Sequence, residues 1–193
     1  AIDAATDNNS RFNPEGYDVL GLSSNKIRHF LNNLCSERGT VYVDAGCYMG
    51  STLFAALMGN ESVKAYAIDD YQSGIVYPKQ RNMHGRFHVE NPVDEMVKNA
   101  EKWMNIDCSV GFSVRPLIEV QFNKEERPNV IFYDADNEDS MSDNLDHLHE
   151  QADNSYILVV DDANFNGVVE KTQKFLEDEN DWWNGVMIAV IEK

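Results

Sequence analysis

The sequence predicts a doubly wound α/β fold, in which a mostly parallel sheet carries a layer of helices on each face. Short, continuous apolar runs alternate with segments of helical spacing, a pattern typical of parallel strands that are buried on both faces. Four of these runs end in an aspartate, namely Asp44, Asp69, Asp134 and Asp161. Because ligands of such sheets bind beyond the carboxyl ends of the strands, we expect the four acids to share one cleft.

Length and composition set the broad class of the protein. The 193 residues suit one domain, and we predict a loose polar leader at residues 1–17 followed by a single domain at residues 18–193. The net charge of −17 argues against nucleic acid as a partner, because phosphate binding needs clustered Lys and Arg. No apolar run is long enough to span a membrane, so no membrane partner is expected. Cys35, Cys47 and Cys108 lack disulfide or metal-site spacing, which favours a cytoplasmic location.

The first half of the chain contains two predicted strands. Ser24 is placed to cap a helix that ends near Gly39, and a strand at residues 41–43 follows it. A second helix begins at Thr52 and runs to a Gly-Asn stop at residues 59 and 60. The second strand covers residues 65–68.

The second half continues the alternation. Its predicted elements are, in order, helix 93–104, strand 108–110, strand 130–133, helix 140–151, strand 156–160, helix 168–177 and strand 186–191. Trp182 and Trp183 precede the last strand. Either one of them packs on the sheet, or both pack on a partner subunit of a homo-oligomer.

The loop after the first strand, Asp44-x-Gly46-x-x-x-Gly50, is the first candidate for ligand binding. Gly46 permits a tight turn with positive φ, and Gly50 permits close approach of a ligand or close packing of the next helix. The loop has neither the G-x-G-x-x-G of dinucleotide sites nor the Lys of a phosphate-binding loop, which favours a cofactor without a pyrophosphate. Asp69 is placed to accept hydrogen bonds from ribose hydroxyls. The alternative is that the glycines only shape a turn and Asp69 caps a helix.

In this order, the motifs resemble the class I S-adenosylmethionine-dependent methyltransferases. More narrowly, the sequence is similar to the branch that includes macrocin-type O-methyltransferases and small phage and bacterial homologues. The matching stretches are GLSS at 21–24, VDAGCYMGST at 43–52, AIDDY at 67–71, YDAD at 133–136 and VVDD at 159–162. The resemblance runs from about Gly21 to Lys193 and implies a Rossmann-like methyltransferase sheet of seven strands.

The resemblance also implies a set of residues that bind S-adenosylmethionine. The first loop would line the methionine moiety, and Asp69 would bind the ribose. Phe112 stands where relatives have an acid near the adenine, so it could stack on the ring but not accept a hydrogen bond. The full set is Asp44, Gly46, Gly50, Asp69, Asp70, Phe112, Ser113 and Asp134.

A second group of acids follows the fourth and fifth predicted strands. Asp134, Asp161 and Asp162 offer hard oxygen donors, which suit Mg²⁺ or Mn²⁺. In the metal-dependent O-methyltransferases that the chain resembles, acids at these positions bind a divalent ion, and Asp136 would be the general base. The alternative is that Asp161 and Asp162 cap the following helix while Asp134 and Asp136 shape a turn.

The predicted activity is methyl transfer from S-adenosylmethionine to a hydroxyl group of a small-molecule acceptor, such as a sugar. Two alternatives stay open at this point. One is a protein that binds the cofactor without turnover, and the other is a metal-dependent hydroxylase or nucleotide-sugar enzyme on the same fold, because a fold does not determine its chemistry.

Overall fold

A computed structural model of the protein describes residues 1–71, 89, 91–104, 109–135, 140–176 and 181–193. These residues contain the strands β1 (Val41–Ala45), β2 (Lys64–Ile68), β3 (Ser109–Ser113), β4 (Val130–Tyr133), β5 (Ser155–Val160), β6 (Asp181–Trp183) and β7 (Val186–Glu192). They form one seven-stranded sheet in the order β3-β2-β1-β4-β5-β7-β6. The strands from β1 to β5 pair in parallel, whereas β7 runs antiparallel to both β5 and β6.

Helices cover the two faces of this sheet. They are α1 (Ile2–Thr6), α2 (Asn25–Leu34), α3 (Ser51–Leu57), α4 (Pro92–Trp103), α5 (Met141–Gln151) and α6 (Asn166–Leu176). Buried side chains of α2 and α3 form one apolar cluster with the sheet, and those of α5 form a second cluster with it. The predicted doubly wound, mostly parallel α/β fold is therefore confirmed. Within the described ranges, no helix is both long enough and apolar enough to cross a membrane.

Local sequence signals explain where individual helices begin. The hydroxyl of Ser24 accepts a hydrogen bond from the Ile27 amide at 3.3 Å, which confirms the predicted cap of α2. Helix α4 begins at Pro92, and the side chain of Asn91 accepts hydrogen bonds from the amides that follow.

The amino-terminal segment corrects the prediction of a loose leader at residues 1–17. Helix α1 packs on α2, and Ala5 and Phe12 are buried. The amides of Arg11 and Phe12 both donate to Oδ1 of Asn32, at 2.9 and 3.1 Å, and the Ser10 hydroxyl lies 2.8 Å from Nδ1 of His29. The segment is held by individual polar contacts with distant residues. Such contacts leave no apolar periodicity in the sequence, which is why the pattern did not reveal them.

Two strands differ in position from their predictions. Strand β3 covers Ser109–Ser113 instead of residues 108–110, and residue 108 lies outside the described part. Strand β6 was not located in the sequence, since three residues are too few to show a period. The ring of Trp183, in β6, lies 5.4 Å from that of Phe30 and packs against the cluster on the α2 face.

Candidate functional site

The four strand-end acids lie at one edge of the sheet, as the sequence predicts. Asp44 is in β1, and Asp69, Asp134 and Asp161 directly follow β2, β4 and β5. These four strands are parallel neighbours, so their carboxyl ends coincide. Backbone pairing continues to the acids themselves, because the Asp134 amide donates to the Ala45 carbonyl at 2.8 Å and the Asp161 amide donates to the carbonyl that ends β4 at 2.9 Å.

Asp44 is fully buried, and one of its carboxylate oxygens has no partner. Its Oδ2 accepts hydrogen bonds from the Thr52 hydroxyl at 2.8 Å and from the Tyr42 hydroxyl at 3.3 Å, while Oδ1 is buried and unpartnered. Burial raises the pKa of Asp44 to about 7, and the nearby carboxylates of Asp69 and Asp161 also raise it. A buried acceptor without a donor costs stability, so this atom indicates a place for a donor that the described residues do not supply.

The two loop glycines are required by the shape of the loop. Gly46 has φ of 91° and Gly50 has φ of 83°, both in the left-handed region. A Cβ atom on Gly46 would lie 2.2 Å from the carbonyl oxygen of Asp134, and one on Gly50 would lie 2.2 Å from the ring of Phe54. Close packing of the loop on β4 and α3 therefore explains both glycines. Their role in lining a cofactor stays a prediction.

Asp69 fixes the conformation of that loop. Its Oδ2 accepts from the Tyr48 amide at 2.9 Å and its Oδ1 from the Tyr71 amide at 2.7 Å, and the Tyr71 hydroxyl donates to the Tyr48 carbonyl at 2.8 Å. Both tyrosines have positive φ, 45° and 56°, which these bonds maintain. The role of Asp69 in binding ribose hydroxyls stays a prediction. Asp70, the next residue, is half-buried.

Phe112 and Ser113 lie at the end of β3, beside Asp69. The Ser113 carbonyl accepts from the Asp69 amide at 3.1 Å. The Phe112 ring is 39% exposed and meets the Tyr71 ring edge-on, with 6.4 Å between the ring centroids. A cavity of about 360 Å³ is lined by both residues and by Tyr66. The exposed ring of Phe112 could stack on an adenine. This role stays a prediction.

The predicted metal ligands Asp134, Asp161 and Asp162 stay a prediction. Across the described ranges, no group of three His, Cys, Asp or Glu side chains is arranged to hold a metal ion. Asp162 adopts a left-handed conformation with φ of 56° and is exposed, while its amide donates to Oδ1 of Asp161 at 2.8 Å. Asp134 is half-buried. Asp136, the predicted general base, lies outside the described residues.

Asp161 has an unusual electrostatic environment. The pKa of Asp161 is raised to about 6, mainly by burial; the hydrogen bond from the Asp162 amide lowers this pKa, and the neighbouring charge of Asp162 contributes to raising it. Its carboxylate is therefore a weak base that is mostly ionised at neutral pH.

Sequence analysis missed three residues beside the loop. Tyr17, in the supposed leader, donates its hydroxyl to the Ser51 carbonyl at 2.7 Å, and Nη2 of Arg28 donates to the Ser51 hydroxyl at 2.6 Å. The Arg28 guanidinium also lies over the Tyr17 ring, 5.5 Å from its centroid. In the sequence, the feature next to these residues is the Ser-Thr pair directly after Gly50. In the structure, its two hydroxyls contact Arg28 and Asp44.

Comparison with known proteins gives structural likeness alone. No family model matches the sequence, and a search of curated proteins finds no match. Among solved structures, an O-methyltransferase from Bacillus cereus in complex with SAH has a TM-score of 0.62 at 12% identity, with 100% of this chain and 90% of that chain covered. The O-methyltransferase NovP has a TM-score of 0.60 at 17% identity, with 86% and 78% covered.

A third similar structure is the SAH-bound methyltransferase PaMTH1 of Podospora anserina, with a TM-score of 0.60, 13% identity and 89% and 80% of the two chains covered. The similar structures also include an rRNA methylase from Streptococcus thermophilus. All of them are similar to this chain in fold. The chain has the Rossmann-like fold of these methyltransferases.

Proposed function

We propose that the protein is an S-adenosylmethionine-dependent methyltransferase that acts on a hydroxyl group of a small molecule. The observation that carries the proposal is the buried, unpartnered Oδ1 of Asp44, at the end of the first strand of a methyltransferase fold. The amino group of the methionine moiety is a donor of the right charge for this atom. A charge-assisted hydrogen bond there would satisfy the one buried acceptor that the loop leaves open.

The surrounding donors and acceptors fit the rest of the cofactor. Asp69, whose carboxylate accepts two main-chain amides of the loop, would accept from the ribose hydroxyls. The exposed ring of Phe112, one strand further along the sheet, would face the adenine. The three groups occur in the order of amino acid, ribose and base along the strands β1, β2 and β3, which matches the order of the parts in the cofactor.

The protein would contribute mainly position and charge to the reaction. When bound, S-adenosylmethionine supplies an electrophilic methyl group on a positively charged sulfur. Asp44 and Asp69 would hold the amino group and the ribose on either side of this sulfonium, and such positioning is a large part of the acceleration in transfer reactions. A carboxylate at the same edge would take the proton of the acceptor hydroxyl. Asp161, with a pKa of about 6, is suited to this step. Asp136 is the base that the family resemblance suggests.

The proposal routes no step through a metal ion, since the described acids do not have the arrangement that Mg²⁺ requires. In the proposed reaction, the acceptor of the methyl group is a small molecule with a hydroxyl group, such as a sugar. The net charge of −17 supports this choice over RNA. The macrocin-type branch is part of the proposal and rests on the sequence motifs.

Isothermal titration calorimetry with S-adenosylmethionine tests the proposal. We expect binding by the wild type, about ten- to a hundredfold weaker binding by Asp44→Asn, and unchanged binding by Asp146→Asn, which removes an exposed acid of α5. A wild-type protein without affinity for the cofactor would refute the proposal. Transfer of a labelled methyl group to a panel of sugars and phenols then separates an enzyme from a protein that binds the cofactor without turnover.

A further inference from the structure

Arg28 carries a guanidinium that is only partly satisfied by the protein. It lies in α2, half-buried, and donates from Nη2 to the Ser51 hydroxyl at 2.6 Å and from Nη1 to Oδ1 of Asn25 at 3.3 Å. Its Nε is buried and has no hydrogen-bond partner. An arginine has five N–H donors in a planar fork that matches a carboxylate, and here both neighbours are neutral oxygens.

The positive charge of Arg28 also lacks an acidic partner within the described residues, where no Asp or Glu forms an ion pair with it. Asp18 follows Tyr17, whose ring lies under the Arg28 guanidinium, but Asp18 does not pair with Arg28. Its carboxylate contacts Lys102 Nζ at 2.6 Å and Trp103 Nε1 at 3.2 Å. Burial accordingly lowers the pKa of Arg28. Buried charges are normally paired, so an anion is expected from outside the described residues.

The location of Arg28 indicates which anion this is. Its partner Ser51 and the partner of Asp44, Thr52, are consecutive residues at the start of α3. The two charges also act on one phenol: burial raises the pKa of Tyr17, Arg28 lowers it and Asp44 raises it. A guanidinium without an ion pair among the described residues and a buried carboxylate therefore contact the first two residues of α3. That arrangement is complementary to a zwitterion whose ammonium and carboxylate share one carbon.

We infer that Arg28 binds the carboxylate of the methionine moiety while Asp44 binds its amino group. This inference rests on the proposed function and adds a residue that selects for the amino acid end of the cofactor. The guanidinium would form a charge-assisted pair with the carboxylate, and the Ser51 hydroxyl would keep the fork in place. Arg28 is thus a specificity residue, since it acts on a part of the cofactor that is remote from the methyl group.

The test compares S-adenosylmethionine with its decarboxylated form, which lacks the carboxylate alone, by calorimetry on wild type and variants. Wild type should bind S-adenosylmethionine about ten- to a hundredfold more tightly than the decarboxylated form. Arg28→Gln should lose most of that preference, because it weakens binding of the complete cofactor and leaves binding of the decarboxylated form unchanged. Arg28→Lys keeps the positive charge but lacks the planar set of N–H donors, so it should retain part of the preference for the complete cofactor. Arg38→Gln, an exposed arginine elsewhere, is the control.

The outcomes separate this inference from the proposed function. If wild type binds both compounds equally well, the cofactor proposal stands and the role of Arg28 is refuted. If Arg28→Gln weakens both compounds by the same factor, its role is structural and the inference is refuted. If wild type binds neither compound, the proposed function fails and the inference fails with it. Thermal unfolding of each variant without ligand verifies that it is folded.

Discussion

The acids at the edge of the sheet divide into two regions that differ in how tightly the protein holds them. At the ends of β1 and β2, Asp44 is fully buried between two hydroxyls, and both oxygens of Asp69 accept main-chain amides of the loop. At the ends of β4 and β5, Asp161 accepts from the amide of its own neighbour, and Asp162 is exposed. The first region is preorganised, whereas the second is open.

Under the proposed function, the first region would hold the cofactor and the second would receive the acceptor. A cofactor of fixed structure is best held by groups that other contacts already position, since little ordering remains to be done on binding. An acceptor side can be less constrained, because one fold can serve many different substrates. We therefore expect mutations to have large effects on folding at the β1 and β2 ends and small effects at the β4 and β5 ends.

The largest effect is expected from Gly46→Ala, because the loop meets β4 at this residue. A Cβ there would lie 2.2 Å from the Asp134 carbonyl oxygen, in addition to the strain of φ at 91°. We expect a loss of about 3 kcal/mol or more in unfolding free energy, measured by chemical denaturation. Gly39→Ala is the matched control. Its φ is 86° with no atom within 4 Å of the added Cβ, so about 1 kcal/mol is expected. Equal losses would show that the contact between the loop and β4 is unimportant.

The next effect is a contrast between two acids. Asp69→Ala leaves the amides of Tyr48 and Tyr71 without their acceptor, so we expect a loss of about 2–3 kcal/mol in stability together with weaker cofactor binding. Asp161→Asn should leave stability at pH 7.5 unchanged or slightly higher. The folded-state pKa of about 6 lies above the ordinary 3.8, so ionisation of this group destabilises the fold as pH rises through 6. Thermal unfolding of both variants measures the contrast, which similar losses would contradict.

A smaller effect is expected from pH on cofactor affinity. The pKa of Asp44 is about 7, and only its carboxylate attracts an ammonium. Between pH 7 and pH 6 the ionised fraction falls from about one half to about one tenth, while the amino group of the cofactor remains protonated, so affinity should fall about fivefold. Calorimetry at the two pH values measures the change. Asp44→Asn should bind weakly and equally at both, and a wild-type affinity that does not depend on pH would exclude Asp44 as the ammonium partner.

The sequence predicted the features that arise from strand direction. Parallel neighbours end at one edge, so Asp44, Asp69, Asp134 and Asp161 could be placed together from the position of each acid after an apolar run. The conformation of the first loop was predictable in part, because Gly46 indicates positive φ. The sequence could not show that a side chain at Gly46 would be obstructed, because the obstructing carbonyl belongs to Asp134, at the end of another strand.

Contacts between side chains of separate elements could not be predicted. Arg28 and Ser51 are 23 residues apart, and their pairing depends on how α2 packs on α3. The same holds for Asn32, which binds the amino-terminal segment through its side-chain oxygen. Neither contact produces a periodic pattern, and a single polar residue in a helix is compatible with many partners. The left-handed conformation of Asp162, with φ of 56°, likewise has no signal in the sequence.

The smallest expected effect is that of divalent cations, which tests whether the open region stays open when the cofactor is bound. An ion that binds only the folded protein stabilises it by about 2.7 kcal/mol at a hundred times its dissociation constant. If a submillimolar site existed, 10 mM Mg²⁺ would therefore visibly raise the melting temperature. Because Asp134, Asp161 and Asp162 do not form a cluster that could hold a metal, we expect the melting temperature and the cofactor affinity in Mg²⁺ or Mn²⁺ to match those in EDTA. The measurement includes the contribution of Asp136. A rise with Mg²⁺ that Asp161→Asn abolishes would restore the metal-dependent mechanism and show that the β4 and β5 ends are organised by the ion.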